Sequence, residues 1–138
     1  MQTWRKHIRP KRSKYMKSQW IEHQGREILN IDFSNFHDSD SELQREVNNI
    51  LTGIGKEMYS KPLHSVLVLV DLRNTKMTSS IQKIITERIT DTRKYVAKTA
   101  VLGMTGIRKA FLDYFGRIAM SDTRAFDDFD TAANWLLE

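Results

Sequence analysis

Residues 65–71 are Ser-Val-Leu-Val-Leu-Val-Asp, and this stretch decides the fold. Five apolar residues run from Val66 to Val70 without the polar alternation of a strand that has one solvent-facing side. The pattern predicts a central strand of a parallel sheet, buried on both faces and ending at Asp71. Because the run is far too short to span a bilayer, it indicates a buried strand and not a membrane segment.

Segments whose apolar residues recur at helical spacing precede and follow this strand. Before it, apolar residues at helical spacing predict a helix that continues to Tyr59 and stops at Lys61-Pro62. Its buried stripe consists of Leu43, Val47, Ile50, Leu51, Ile54 and Met58. After the strand, hydroxyl residues at 78–80 can cap a second helix. The buried stripe of that second helix consists of Ile81, Ile84, Ile85 and Ile89.

Further strands are predicted on both sides of these helices. Residues 18–23 and 26–33 are expected to pair as a hairpin around Gln24-Gly25, a two-residue loop with glycine where positive φ is tolerated. Residues 98–103 predict a third buried strand. A strongly periodic helix follows it, with the stripe Ile107, Ala110, Phe111, Tyr114, Phe115 and Ile118.

The end of the chain completes the predicted order. Residues 125–129 predict a short last strand, and Asp130 is expected to cap a terminal helix that carries Ala132, Trp135 and Leu136. The order is β-β-α-β-α-β-α-β-α, in which strands alternate with helices after the hairpin. This order indicates an α/β fold: a single domain over residues 18–138, with a mixed, mostly parallel five-stranded sheet and about four helices.

The composition limits the class of protein. A chain of 138 residues, 40% of them hydrophobic, is long enough for one domain with a real core. The absence of cysteine excludes disulfides, thiol nucleophiles and thiolate metal sites. The N-terminus is charged and has no apolar signal segment, so we expect a cytoplasmic protein.

The net charge of +5 comes from residues 1–17, which form a basic tail with no acidic residue. Its basic residues are Arg5, Lys6, Arg9, Lys11, Arg12, Lys14 and Lys17. The rest of the chain has 15 basic residues against 17 acidic ones. Such a tail could neutralise nucleic-acid phosphates or lie on an anionic membrane. The alternative, a solvated arm, is favoured because such tails are common.

Four stretches of the chain together resemble a known family. They are WIEHQGREILNIDFSNF (residues 20–36), VLVLVDLRNT (66–75), AVLGMTGIRKAFLDYFGR (100–117) and FDDFDTAANWLLE (126–138). This pattern resembles the SpoIIAA-like proteins, which are bacterial relatives of the STAS domain and are often grouped with the CRAL-TRIO lipid-transfer fold. The resemblance covers about residues 18–138 and implies a STAS-like fold.

The resemblance also implies a regulatory phosphoacceptor. In STAS domains a serine about nine residues after the strand-ending aspartate starts the next helix, and here that position is Ser80. Ser79 stands where the family often has aspartate, and Gln82 replaces the usual glycine. Thr78, Ser79 and Ser80 nevertheless offer hydroxyls at a helix N-terminus, where a phosphate would meet free N–H groups. Simple helix capping is the favoured alternative.

Two further features suggest ligand binding. The loop that contains Gly103, Thr105, Gly106 and Arg108 could cradle an anion, although a tight turn capped by Thr105 explains it better. The aromatic stripe of the third helix could line an apolar ligand pocket, although core packing is the favoured explanation. The residues of that pocket would be Phe111, Tyr114, Phe115, Met104 and Met120.

The sequence gives little indication of catalysis. The four histidines are scattered, and no metal-ligand spacing is present. Asp32 and Asp71 are expected at the carboxyl ends of strands, where they could act in acid–base chemistry or form Asx turns, and we favour the turns. We therefore predict a non-enzymatic domain without cofactor or metal, which binds through the strand-end surface formed by residues 71–80 and 103–108.

The partner of this surface is left open by the sequence. A protein partner or a small ligand would suit it, and a homodimer is also compatible with the sequence. The alternatives are a carrier of a small apolar, lipid-type ligand, an adaptor tethered by the basic tail to nucleic acid or membrane, and a hydrolase that uses Asp32 and Asp71.

Overall fold

The computed structural model describes residues 18–35, 45, 48, 53, 56–75, 78–103 and 109–138. The basic tail, most of the first predicted helix and the loop residues 104–108 lie outside the described residues. The expectations for Thr105, Gly106, Arg108 and the seven tail residues therefore stay predictions. No helix within the described ranges has the length and apolar character needed to span a membrane.

The hairpin forms where the sequence predicts it. Strand β1 (Gln19–His23) pairs antiparallel with β2 (Arg26–Asp32) around Gln24 and Gly25, whose φ angles are 52° and 82°. Two successive positive φ angles define the type I′ turn, the two-residue loop that matches the twist of paired strands. The short loop holds the two strands in register, with Ile21 opposite Ile28.

Three parallel strands continue the sheet. They are β3 (Val66–Asp71), β4 (Val96–Leu102) and β5 (Asp122–Phe126), and the strand order across the sheet is β1-β2-β3-β4-β5. The central position of β3 confirms the prediction made from its apolar run. The prediction for the last strand was wrong by three residues, because β5 begins at Asp122 and Phe129 already belongs to the next helix.

The described residues show four helices around this sheet. The described residues of helix α1 are 45, 48, 53 and 56–58. The others are α2 (Ser79–Thr92, followed by a 3-10 turn at Arg93–Tyr95), α3 (Lys109–Ala119) and α4 (Phe129–Leu136). The structure is thus a single α/β domain with a mixed five-stranded sheet, as the sequence predicts.

Most of the core lies between one sheet face and the first three helices. Each parallel connection moves to the next strand in the same direction, so right-handed crossovers place their helices on the same face. That face packs Met58, Ile85 and Phe115 against sheet residues such as Leu29 and Val68. The prediction that Ala110 is buried was wrong, since it is exposed at the start of α3.

Helix α4 packs on the opposite face of the sheet. Its residues Ala132, Ala133, Trp135 and Leu136 are buried. They contact a second layer of sheet residues: Ile28, Leu67, Leu69, Ala100 and Leu102. Together the two clusters bury β3 on both faces, which is why its sequence is continuously apolar.

The N-cap of α4 is Asp128. The prediction that Asp130 caps this helix was therefore wrong. The Asp128 carboxylate accepts hydrogen bonds from the Thr131 backbone N–H at 2.9 Å and from the Thr131 hydroxyl at 3.0 Å. These hydrogen bonds lower the pKa of Asp128 below its ordinary value of 3.8. Asp130 lies inside the first turn, where its negative charge interacts favourably with the positive end of the helix dipole.

Candidate functional site

Asp32 and Asp71 lie side by side at the carboxyl ends of β2 and β3. They are register partners in the parallel pair, so the sequence-based prediction that both end strands at one edge is confirmed. This edge is where open α/β sheets place their binding sites. What the two carboxylates contact there decides whether they are available for chemistry.

The Asp71 carboxylate is committed to Arg73. Arg73 donates from Nε to Oδ1 at 3.0 Å and from Nη2 to Oδ2 at 2.8 Å, while its backbone N–H also donates to Oδ1 at 3.0 Å. The Asp71 side chain is only 9% exposed, whereas that of Arg73 is 48% exposed. The hydrogen bond to Asp71 raises the pKa of Arg73, and the charges of Asp71, Asp32 and Asp128 add to this effect.

Asp32 holds the neighbouring loop. Its Oδ1 accepts hydrogen bonds from the Ser34 backbone N–H at 3.0 Å and from the Ser34 hydroxyl at 2.6 Å. The backbone N–H of Asp32 in turn donates to the hydroxyl of Ser18 at 2.8 Å. Both strand-end aspartates thus form the Asx turns that the sequence analysis favoured over acid–base chemistry.

The loops that follow β2 and β3 are bonded to each other. The hydroxyl of Thr75, which is buried, donates to the carbonyl of Phe33 at 2.6 Å. Asn74 Nδ2 donates to Asn35 Oδ1 at 2.8 Å. Within the described residues no group of three or more His, Asp or Glu side chains is arranged to hold a metal ion. The hydrogen bonds between the loops after β2 and β3 hold this edge of the sheet together as one surface.

Gly103 brings the end of β4 against this surface. Its φ is +93°, and a Cβ at this position would lie 2.8 Å from the Arg73 nitrogen and 2.9 Å from the Arg73 Cα. Neither backbone atom can move aside without shifting the loop that Asp71 holds. Of the predicted anion-binding loop, Gly103 is the part that the structure describes, and its role there is close backbone packing.

The predicted phosphoacceptors lie at the start of α2. Thr78 is half-buried, and its carbonyl accepts the first helical hydrogen bond, from the Gln82 N–H at 2.9 Å. Ser79 is the first residue of the helix and is exposed. Ser80 follows in the helix, and its side chain lies outside what the structure describes.

A cavity of about 110 Å³ lies between the sheet and helices α2 and α3. Most of its described wall is apolar and comes from both layers of the main core. The sheet contributes Leu29, Ile31, Val68, Val70, Val96 and Val101. The helices and loops contribute Phe33, Met58, Leu72, Ile85, Ile89, Phe115 and Ala119.

This cavity differs in part from the predicted aromatic pocket. Phe115 lines it, as expected, but Tyr114 and Met120 do not, because they are 37% and 72% exposed on the outside of the domain. The prediction for these two residues was therefore wrong. Met104 and the side chain of Phe111 lie outside the described part of the chain.

The polar side chains in the cavity wall were missed by the sequence analysis. They are Arg88, Thr92, Arg93, Thr99 and Thr123. A signal for Arg88 was present, since it stands three residues after Ile85 and therefore continues the apolar stripe of its helix. A charged residue on such a stripe is noteworthy, because a charged group that is partly buried needs a partner.

Comparison with known proteins supports the fold and leaves the function open. No family model matches the sequence, and no curated protein matches it. A solved structure does match: an uncharacterized protein of the DUF3478 family with a SpoIIAA-like fold, from Shewanella loihica PV-4. The TM-score is 0.67 over 86% of this chain and 91% of that one, at 10% sequence identity. The chain therefore has a SpoIIAA-like fold.

Proposed function

We propose that this chain is a non-enzymatic binding domain that holds a small apolar ligand in the cavity between the sheet and helices α2 and α3. The cavity is the observation that carries the proposal. Empty apolar space of this volume costs on the order of 2–3 kcal/mol in lost packing, which an apolar occupant would recover. Engineered cavities of about 150 Å³ with similar walls bind benzene.

The chemistry of the wall supports binding over catalysis. Among its described residues there is no carboxylate and no histidine, the groups that most often transfer protons in enzymes. At the strand-end edge, Asp71 is held by Arg73, and Asp32 is held by Ser34. These contacts support roles in structure and binding for both regions.

Filling the cavity is expected to abolish ligand binding. In Ala119→Phe the new phenyl ring occupies space that the ligand would use, so the affinity for octanol should fall by roughly tenfold or more. The thermal midpoint should stay unchanged or rise, because the ring replaces empty volume. Calorimetric titration with octanol and a thermal melt measure the two effects.

Ala110→Phe is the matched control, since it makes the same change on the exposed side of the same helix. Its octanol affinity should equal that of the wild type. Failure of the wild type to bind octanol would refute the cavity proposal. Equal binding by the two variants would show that octanol binds elsewhere.

We propose as a second function that the strand-end surface binds a protein partner. The exposed half of Arg73 supports this, because Asp71 holds the guanidinium in one geometry and so lowers the entropy lost on binding. Arginines of this kind are frequent anchors of protein interfaces. Exposed Ser79, six residues after Arg73 in the sequence, offers a hydroxyl at which a phosphate could regulate the contact.

Mass spectrometry of the protein purified from its own host tests this second function. We expect a covalent phosphate that survives denaturation and maps to Thr78, Ser79 or Ser80. A chain without phosphate under all growth conditions would contradict the regulated contact. A mass lost on denaturation would instead indicate a bound ligand and support the cavity proposal.

A further inference from the structure

We infer that the ligand of the cavity is a short-chain amphiphilic carboxylic acid, whose carboxylate is bound by Arg88. This inference rests on the proposed cavity function and adds the chemical class of the ligand. The observation behind it is the Nε of Arg88, which is buried in the cavity wall and has no hydrogen-bond partner among the residues that the structure describes. Buried donors in native proteins are nearly always paired, so an unpaired one indicates a missing acceptor.

The other side of the Arg88 guanidinium is already bonded. Its Nη1 donates to Oδ2 of Asp91 at 3.2 Å, one turn further along α2. The Asp91 side chain is 54% exposed, so this ion pair lies at the solvent side of the helix. The guanidinium therefore connects the surface to the cavity, and its Nε is the buried donor that a ligand in the cavity would meet. The planar guanidinium presents its N–H groups in the fork geometry that binds carboxylates, so Arg88 can bind Asp91 on one side and a ligand carboxylate on the other.

The charges of the cavity wall favour an anionic head group. Arg88 and Arg93 both line the cavity, and no acidic residue does so among the described residues. The Arg93 guanidinium already has a partner, because its Nη1 donates to the carbonyl of Ile118, near the end of α3, at 3.0 Å. Asp91 offsets part of the Arg88 charge at the surface, but the described cavity wall itself presents two cations and no carboxylate, which favours an anionic head group over a neutral one.

The apolar part of the cavity wall determines the chemical character and size of the ligand beyond its head group. Beyond the arginines the described wall is formed by residues such as Leu29, Val68 and Phe115, which suit a hydrocarbon chain. A volume of about 110 Å³, smaller than the roughly 150 Å³ of cavities that bind benzene, accommodates the end of one short chain and not a diacyl lipid. Octanoate carries a carboxylate on one such chain, and octanol is its neutral counterpart.

The test compares octanoate with octanol in calorimetric titrations at neutral pH. The wild type is expected to bind octanoate roughly tenfold more tightly than octanol, as charge-assisted hydrogen bonds usually contribute. In Arg88→Met this preference should disappear while the octanol affinity is kept. Lys83→Met removes a positive charge from an exposed position of the same helix and should behave as the wild type.

Each outcome separates this inference from the proposal on which it rests. Equal affinity of the wild type for both compounds would overturn the carboxylate and leave the apolar cavity standing. Binding of neither compound would overturn both. An unchanged preference in Arg88→Met would overturn the assignment to Arg88. Should that variant fail to fold, the Nε–H proton resonance of wild-type Arg88 decides: a downfield shift with octanoate but not octanol supports the inference, and no shift overturns it.

Discussion

Gly103→Ala is expected to lower the free energy of unfolding by about 3 kcal/mol. A methyl group at this position would lie 2.8 Å from the Arg73 nitrogen and 2.9 Å from the Leu72 carbonyl carbon, closer than real Cβ contacts allow. The positive φ of +93° adds about 1 kcal/mol or more of backbone strain for any L side chain. Because the crowded atoms are backbone, the loop after β3 must shift as a whole. Urea denaturation followed by circular dichroism measures the loss.

Gly25→Ala is the matched control for this experiment. Gly25 also has a positive φ, of +82°, but a Cβ there would meet nothing within 4 Å. This variant should therefore lose only the strain, about 1 kcal/mol. The difference between the two variants isolates the close approach of Gly103 to Arg73. Equal losses in both variants would show that the crowding costs nothing.

Trp135→Ala is expected to lower the free energy of unfolding by about 4 kcal/mol, as is usual for removal of a buried aromatic ring. Trp135 is 6% exposed and packs against Phe126, with ring centroids 5.4 Å apart. The Lys98 ammonium and the Arg124 guanidinium lie 4.8 Å and 5.3 Å from its ring centroid. Within the described part of the chain α4 is the one helix on this face of the sheet, so the packing has no substitute.

The measurement is again equilibrium unfolding, with Trp135→Phe as the conservative control. Phenylalanine keeps most of the buried area and the aromatic face for Lys98, so it should lose about 1–2 kcal/mol. A loss below about 1 kcal/mol in Trp135→Ala would mean that α4 adds little to the stability of the domain. Far-ultraviolet circular dichroism before unfolding would show whether the helix is still present.

The elements with the strongest local signals were predicted well. The hairpin followed from Gln24-Gly25, because two positive φ angles in a two-residue loop suit few other sequences. The central strand followed from residues 65–71, because burial on both faces requires a continuous apolar run. In both cases the sequence within one element is sufficient to specify it.

The end of the chain was harder to predict. Strand β5 lies at the edge of the sheet, and its exposed Asp122 and Arg124 make it resemble a loop. Three nearby aspartates could each have capped the last helix, and the choice of Asp128 depends on Thr131 three residues later. Edge position and cap geometry are tertiary properties that composition alone does not encode.

The position of the candidate site and its Asx turns were predicted, and its ion pair and cavity contacts were not. The adjacency of Asp32 and Asp71 follows from parallel strands ending at one edge. The ion pair with Arg73 depends on the turn that follows β3, so no periodic signal marks it. Arg88 could have been noticed as a charge on an apolar stripe, but its buried Nε is visible only after the helix is packed.

The order of the strands has a consequence for synthesis of the protein on the ribosome. Every strand pairs with the one that precedes it in the chain, so the sheet can grow by one strand at a time as the polypeptide emerges. Each loop closure then joins strands that are consecutive in the chain, which favours rapid folding. Helix α4 is made after all five strands, so the growing sheet exposes Leu69 and Leu102 until it arrives. The nascent chain would be most prone to aggregation, and most in need of a chaperone, in that interval.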